Sequence, residues 1–267
     1  MTSRHDQTTR LAARIRLHAA RMVAREGLGY LGQALSSAEL LATLFGSFFR
    51  PGHDHFVLSP GHYTIGVFAA AAELGWLEPA ELAAYGADGS RLEAIGSERS
   101  PVVDLTCGSL GQGLSGAIGL ALSDRMRGRD ARTFAFLSDG EMEEGQVWEA
   151  AMFAAHHRLH RLTVICDCNN SQVDGPVESV TTLEPIPERW RAFGWTAIEV
   201  DGHDVPAISA GIQTALAGDR PAVIVARTDP GRGVVALPED TDRHFVKLPP
   251  ELAGPVIREL EELASGA

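Results

Sequence analysis

The stretch 137-LSDGEMEEGQVWEAAMFAAHHRLHRLTVICDCNNSQVDG-175 places two polar knots at opposite ends of an apolar segment. The first holds Asp139, Glu141, Glu143 and Glu144; the second holds Asp167, Asn169, Asn170 and Asp174. Between them Trp148, Ala151, Met152, Ala155 and Leu159 recur at helical spacing, predicting a helix over 145–160 with that stripe packed inward. Buried-strand patterns flank it, FAFLS at 134–138 and LTVIC at 162–166. A right-handed strand–helix–strand crossover puts parallel strand ends on one edge of a sheet, and ligands of open α/β sheets bind outside that edge. Asp139 and Asn169 then converge. A carboxylate, an amide oxygen and a loop carbonyl are hard oxygen donors suited to Mg²⁺ or Ca²⁺, with positions left for phosphate oxygens. Gly140 lets the backbone turn tightly beside such a ligand. Asp and Asn after strands are also ordinary turn and cap residues, so these two positions alone leave both readings open.

The alternation continues outward. Leu11, Ala12, Ile15, Ala19 and Met22 predict a helix over 9–26, with His18 at the boundary of its face. The glycines of 27-GLGYLGQALSS-37 predict an irregular loop, with Ser36 or Ser37 capping the next helix. FVLS at 56–59 reads as a buried strand broken by 60-PGH-62, followed by a helix over 63–75 and irregular structure over 78–95. The loop 107-CGSLGQG-113 opens a small-residue helix. WTAIEV at 195–200 and AVIVAR at 222–227 are further strands, and a charged helix follows near the C-terminus. Strands alternating with helices predict an α/β fold with a mostly parallel sheet flanked by helices. A length of 267 residues suits one decorated domain over 1–267.

Composition narrows the function class. No apolar run reaches the ~18 residues of a membrane span, and the N-terminal stretch lacks a signal-like apolar core. Three cysteines, Cys107, Cys166 and Cys168, are too few for a disulfide framework and point to a reducing cytoplasm. Cys166 and Cys168 share one strand face, have no zinc-like spacing to other ligands, and read as small core residues. A formal net charge of −12 argues against nucleic-acid binding.

Several segments resemble the transketolase family. DGEMEEGQVWEA followed by ICDCNNSQVDG is similar to its thiamine diphosphate signature. FVLSPGH at 56–62, DLTCGSLGQGLSGAIGLAL at 104–122, DGHDVPAI at 201–208 and ARTDPGRGV at 226–234 resemble family segments in the same order, over about residues 10–250. The resemblance implies thiamine diphosphate bound through Mg²⁺, or Ca²⁺, by Asp139, the Asn169 side chain and the Ser171 carbonyl. Gly140 would lie against the diphosphate and His62 would hydrogen-bond it from the opposite side. The backbone of Gly108–Leu110 would meet the aminopyrimidine ring. Glu144 and Glu149 resemble family acids at the subunit interface that link two active sites.

The pattern departs at the substrate end. Ser138 replaces the first glycine of the family's GDG. Tyr30 stands where a substrate-contacting histidine is usual, and Gly96-Ser97-Glu98 replaces a Gly-His-Pro segment. His244 resembles the family's late histidine near the reacting centre. Full-length transketolases carry a further domain for the pyrimidine half of the cofactor, including the glutamate that protonates its ring. With 267 residues given to one domain, the resemblance implies a partner subunit with the pyrimidine-binding and C-terminal domains, in an α₂β₂ heterotetramer. It also implies a sugar-phosphate-like donor and a specialised acceptor, with His62, His244, Glu144 and Tyr30 as catalytic candidates. Two other readings compete: the α subunit of a 2-oxo-acid dehydrogenase, and an interaction protein on the same scaffold. The DxNxxQxDG pattern at 167–175 favours transketolase over the first. Asp139, Asn169 and His62 kept together weigh against the second.

Overall fold

Residues 3–266 are described in a computed structural model. Helix α1 (Arg4–Glu26) starts with a capping box between Ser3 and Asp6 and stops at Gly27, whose φ of 79° suits a residue without Cβ. Strand β1 (Leu28–Gly29), helix α2 (Leu31–Ser47), strand β2 (His55–Pro60) and helix α3 (Thr64–Glu73) follow. After irregular structure come β3 (Leu105–Cys107), α4 (Gly113–Met126), β4 (Thr133–Ser138), α5 (Gly145–His156) and β5 (Leu162–Cys168). Short helices α6 (Val177–Val180) and α7 (Ile186–Ala192) lead to β6 (Thr196–Asp201), α8 (Val205–Ala217) and β7 (Ala222–Arg227). Strand β8 (Val246–Lys247) and helix α9 (Pro250–Ser265) complete the order.

Six strands form a sheet in the order β3-β2-β4-β5-β7-β6, every neighbouring pair parallel. Strands β1 and β8 pair antiparallel as a separate ribbon. Side chains alternate across the sheet. On β4, Phe134 and Phe136 enter the core shared with α1, α2, α3, α8 and α9, while Ala135 and Leu137 enter the core shared with α4, α5 and α7. Burial on both faces is why the strands read as unbroken apolar runs. No helix among the described residues is long and apolar enough to cross a membrane.

Local signals misplace two features. Ser36 and Ser37 do not cap a helix: α2 already begins at Leu31 and buries both. Packing of α2 on all sides overrides the serine preference for caps, and both hydroxyls turn inward, Ser36 to Asp167 Oδ2 and Ser37 to the Gln33 carbonyl, each at 2.5 Å. On α5 the buried stripe is Val147, Ala150, Ala151 and Ala154, and Met152 is 54% exposed. Both stripes have helical period, and the one rich in alanine is the one buried in the core shared with α4. The helix also ends at His156, short of 160, and Arg158 turns the chain with a φ of 48°. Strand β5 runs two residues beyond LTVIC because Asp167 and Cys168 stay in register with Ala226 and Arg227. Cys166 and Cys168 are buried on one face, sulfur to sulfur 3.6 Å.

Candidate functional site

The β4–α5–β5 crossover brings Ser138 level with Asp167. Asp139 follows β4 immediately and is buried. Its amide donates to the Asp167 carbonyl (3.1 Å), while its carboxylate accepts from the amides of Gly140 (2.9 Å) and Asn170 (2.6 Å). Asn170 adopts a φ of 54° to make that bond. Asn169 is buried, its Oδ1 accepts from the Ser171 amide (3.0 Å), and its Nδ2 donates to Asp167 Oδ2 (3.1 Å). The two predicted ligand residues therefore meet at the joined strand ends.

Asp167 orients this corner. It sits in the fully buried β5 and accepts hydroxyls from Ser36 (2.5 Å), Tyr63 (2.9 Å) and Thr228 as well as the Asn169 amide. Burial raises its carboxyl above the usual range, against the lowering effect of those hydroxyls. Burial pushes Asp139 up to about 7, opposed by the Asn170 amide and reinforced by the charge of Asp167. Neither carboxylate has an ion-pair partner among the described residues, so the corner lacks compensating positive charge. That deficit, with an amide oxygen and loop carbonyls alongside, fits a hard divalent cation. Among the described residues no group of three His, Cys, Asp or Glu could hold a metal, so a cation here depends on neutral oxygens to complete its shell.

Beside this corner lies a cavity of about 280 Å³, lined by His62, Gly108, Leu110, Gly140 and Ser171, and by Tyr30 and His244. A Cβ on Gly140 would stand 3.3 Å from Gln172 Oε1, so glycine leaves the backbone bare there. The loop 108–113 is tied down by Glu141, which is fully buried beneath it. Glu141 Oε1 accepts from Gly111 N (2.8 Å) and from the Ser59 hydroxyl, which accepts from Gly113 N (2.9 Å). Sequence reasoning assigned no role to Glu141; the signal was its place in the first polar knot, two residues after Asp139.

The substrate-facing candidates also gather. Tyr30 lies 5.1 Å from the His62 ring, 5.9 Å from His244 and 4.9 Å from Phe245, centre to centre. Burial holds His62 down at about 3, helped by His244, and lowers His244 as well; both rings are neutral near pH 7. His244 reaches the site because the chain at Arg243 passes directly over Gly32, where a Cβ would stand 1.8 Å from the Arg243 carbonyl oxygen. Ser97 instead closes a surface turn with Ser100 (3.0 Å). Glu144 and Glu149 are exposed, outside the cavity lining. A larger cavity of about 390 Å³, lined by Phe49, His55, Trp76 and Asp104 among others, contains none of the candidates.

Residues 7–251 match the family model described as transketolase, thiamine diphosphate binding domain. A putative uncharacterized transketolase family protein of Sinorhizobium fredii is 38% identical over 258 residues, covering 92% of each chain. A 6-deoxy-6-sulfo-D-fructose transketolase subunit of a Clostridium species is 35% identical over 250 residues, covering 90% of this chain and 91% of that one. The crystal structure of Campylobacter jejuni transketolase superposes with a TM-score of 0.87 over 99% of this chain and 43% of its own, at 24% identity, which speaks for the fold. The chain belongs to the transketolase family, matching its thiamine diphosphate binding domain.

Proposed function

We propose that this chain is the diphosphate- and Mg²⁺-binding subunit of a heteromeric transketolase-like transferase that moves a two-carbon ketol unit. The observation that carries the reading is the buried, cation-deficient corner of Asp139 and Asn169 beside the cavity. Asp139, Asn169 Oδ1 and the Ser171 carbonyl would hold Mg²⁺. Gly140 and His62 would receive the diphosphate, the His62 ring as a neutral donor, and the Gly108–Leu110 backbone would face the aminopyrimidine ring. When bound, thiamine diphosphate supplies the carbanion stabilisation. The chain's own residues bind, orient and exclude water. Glu144 would face a partner subunit carrying the pyrimidine-binding and C-terminal domains. The Clostridium relative, named as a subunit and matched over 91% of its length, supports a divided enzyme. The test is calorimetry with thiamine diphosphate and Mg²⁺ on the assembled enzyme. Asp139→Ala abolishes Mg²⁺-dependent binding and Asn169→Ala weakens it less; unchanged affinity in Asp139→Ala sinks the reading.

The acceptor is a specialised one rather than an ordinary pentose phosphate. Tyr30 fills more space than an imidazole and carries no positive charge, and its phenol is held protonated by burial. With a ketose phosphate donor and ribose 5-phosphate acceptor, turnover by the reconstituted pair is poor and Tyr30→His improves it. Wild-type kcat/KM near ~10⁴ M⁻¹s⁻¹ or above with that acceptor counts against the proposal.

A further inference from the structure

Gln33 is an unusual residue for its place. It is 1% exposed, inside a helix buried on all sides. Its carboxamide Nε2 lies 2.9 Å from Nδ1 of His244, and its Oε1 has no partner among the described residues. Burying an amide with one end unsatisfied is costly, and among the described residues His244 is the group this side chain engages. An N–H donor must meet a lone pair, so the nitrogen that faces Gln33 Nε2 is the one without a proton. A neutral imidazole then carries its proton on Nε2. The described hydrogen bonds leave that nitrogen open, and the ring lines the cavity. Ser171 O, 3.3 Å from Nδ1, competes for the opposite tautomer from a longer distance. A cation drawing on that carbonyl would leave Gln33 in sole control.

We propose that Gln33 is a positioning residue that sets the tautomer of His244, so that Nε2–H is presented to a substrate oxygen as a hydrogen-bond donor. The substrate rests on the function proposed above; the tautomer does not. Tyr30, the residue just before α2, stands edge-on to the same ring, 5.9 Å from it centre to centre.

The test is a ¹⁵N–¹H correlation spectrum of the imidazoles in the histidine-labelled full chain near pH 7, with Mg²⁺ and thiamine diphosphate present. The His244 signals are identified by their loss in His244→Gln. The wild type shows a protonated Nε2. Gln33→Glu, whose carboxylate only accepts, moves the proton to Nδ1, and Gln33→Leu gives a mixture of tautomers. A protonated Nδ1 in the wild type overturns the proposal, as does an unchanged Nε2–H in Gln33→Glu. The spectra report the ring directly, so they decide the tautomer even if calorimetry finds no cofactor binding, an outcome that refutes only the proposed function.

Discussion

Asp167 shows what one residue does beneath the candidate site. Four donors, from α2, the turn before α3, the residue after β5 and the loop after β7, converge on its carboxylate. Removing an acceptor from a buried polar group costs about 1–3 kcal/mol for each orphaned partner. Asp167→Ala removes the acceptor of the Tyr63 and Thr228 hydroxyls and the shorter of two bonds from Ser36, while the Asn169 amide keeps Ser36 and Tyr63. Urea denaturation reports a loss of at least ~3 kcal/mol. Asp167→Asn, which keeps shape and one acceptor oxygen, loses less. A cost below ~1 kcal/mol for the alanine variant would show that the network does not hold the corner. Asp139 and Asn169 were legible in the sequence because each directly follows or ends a strand on the same crossover. The role of Asp167 was not, because its hydroxyl partners lie in segments whose approach no local pattern encodes.

At the scale of elements, a buried ion pair joins α1 to α2 and to the turn before α8. Arg16 grips Glu39, with Nη1 to Oε1 at 2.7 Å, and also donates to the Leu35 carbonyl (3.0 and 2.8 Å). His203 Nε2 accepts from the Asp229 amide (2.9 Å), so Nδ1 bears the proton and donates to Glu39 Oε2 (3.0 Å). Burial alone would raise Glu39, yet Arg16 and His203 prevail and pull it down to about 2. The unfolded chain, with an ordinary value near 4.5, binds the proton first. The contribution is therefore complete above about pH 4.5 and disappears as pH falls toward about 2, amounting to about 3 kcal/mol. Glu39→Gln, measured by urea denaturation at about pH 6 and about pH 3, is less stable at the higher pH and lacks this steep acid-dependent loss. An unaltered pH dependence contradicts the ion-pair account. The strands at 56–59, 134–138 and 222–227 were legible as apolar runs. The edge strand β3 and the two-residue ribbon of β1 and β8 were not, because so few residues carry no period.

For the whole molecule, the matched Campylobacter structure is more than twice as long as this chain. Helices α4 and α5 leave Met126, Met152 and Phe153 exposed, at 84%, 54% and 45%, with Glu144 and Glu149 also at the surface. Co-expression with a chain carrying the pyrimidine-binding domain yields a stable complex, of α₂β₂ mass by light scattering, burying more than ~2,000 Å² between subunits if obligate. Full two-carbon transfer by this chain alone would refute the divided enzyme.

The sequence by itself determined the alternation of elements, the parallel sheet, the two polar knots and the family they resemble. These follow from short-range periods and from the near-universal handedness of the crossover. Tertiary structure alone decided which stripe of α5 is buried, that Ser36 and Ser37 serve the interior rather than a cap, and that Gln33, Glu39 and Asp167 find their partners. Periodicity specifies that a helix has a face, but its phase and the pairing of buried polar groups depend on chain segments brought together only when the sheet closes over its helices.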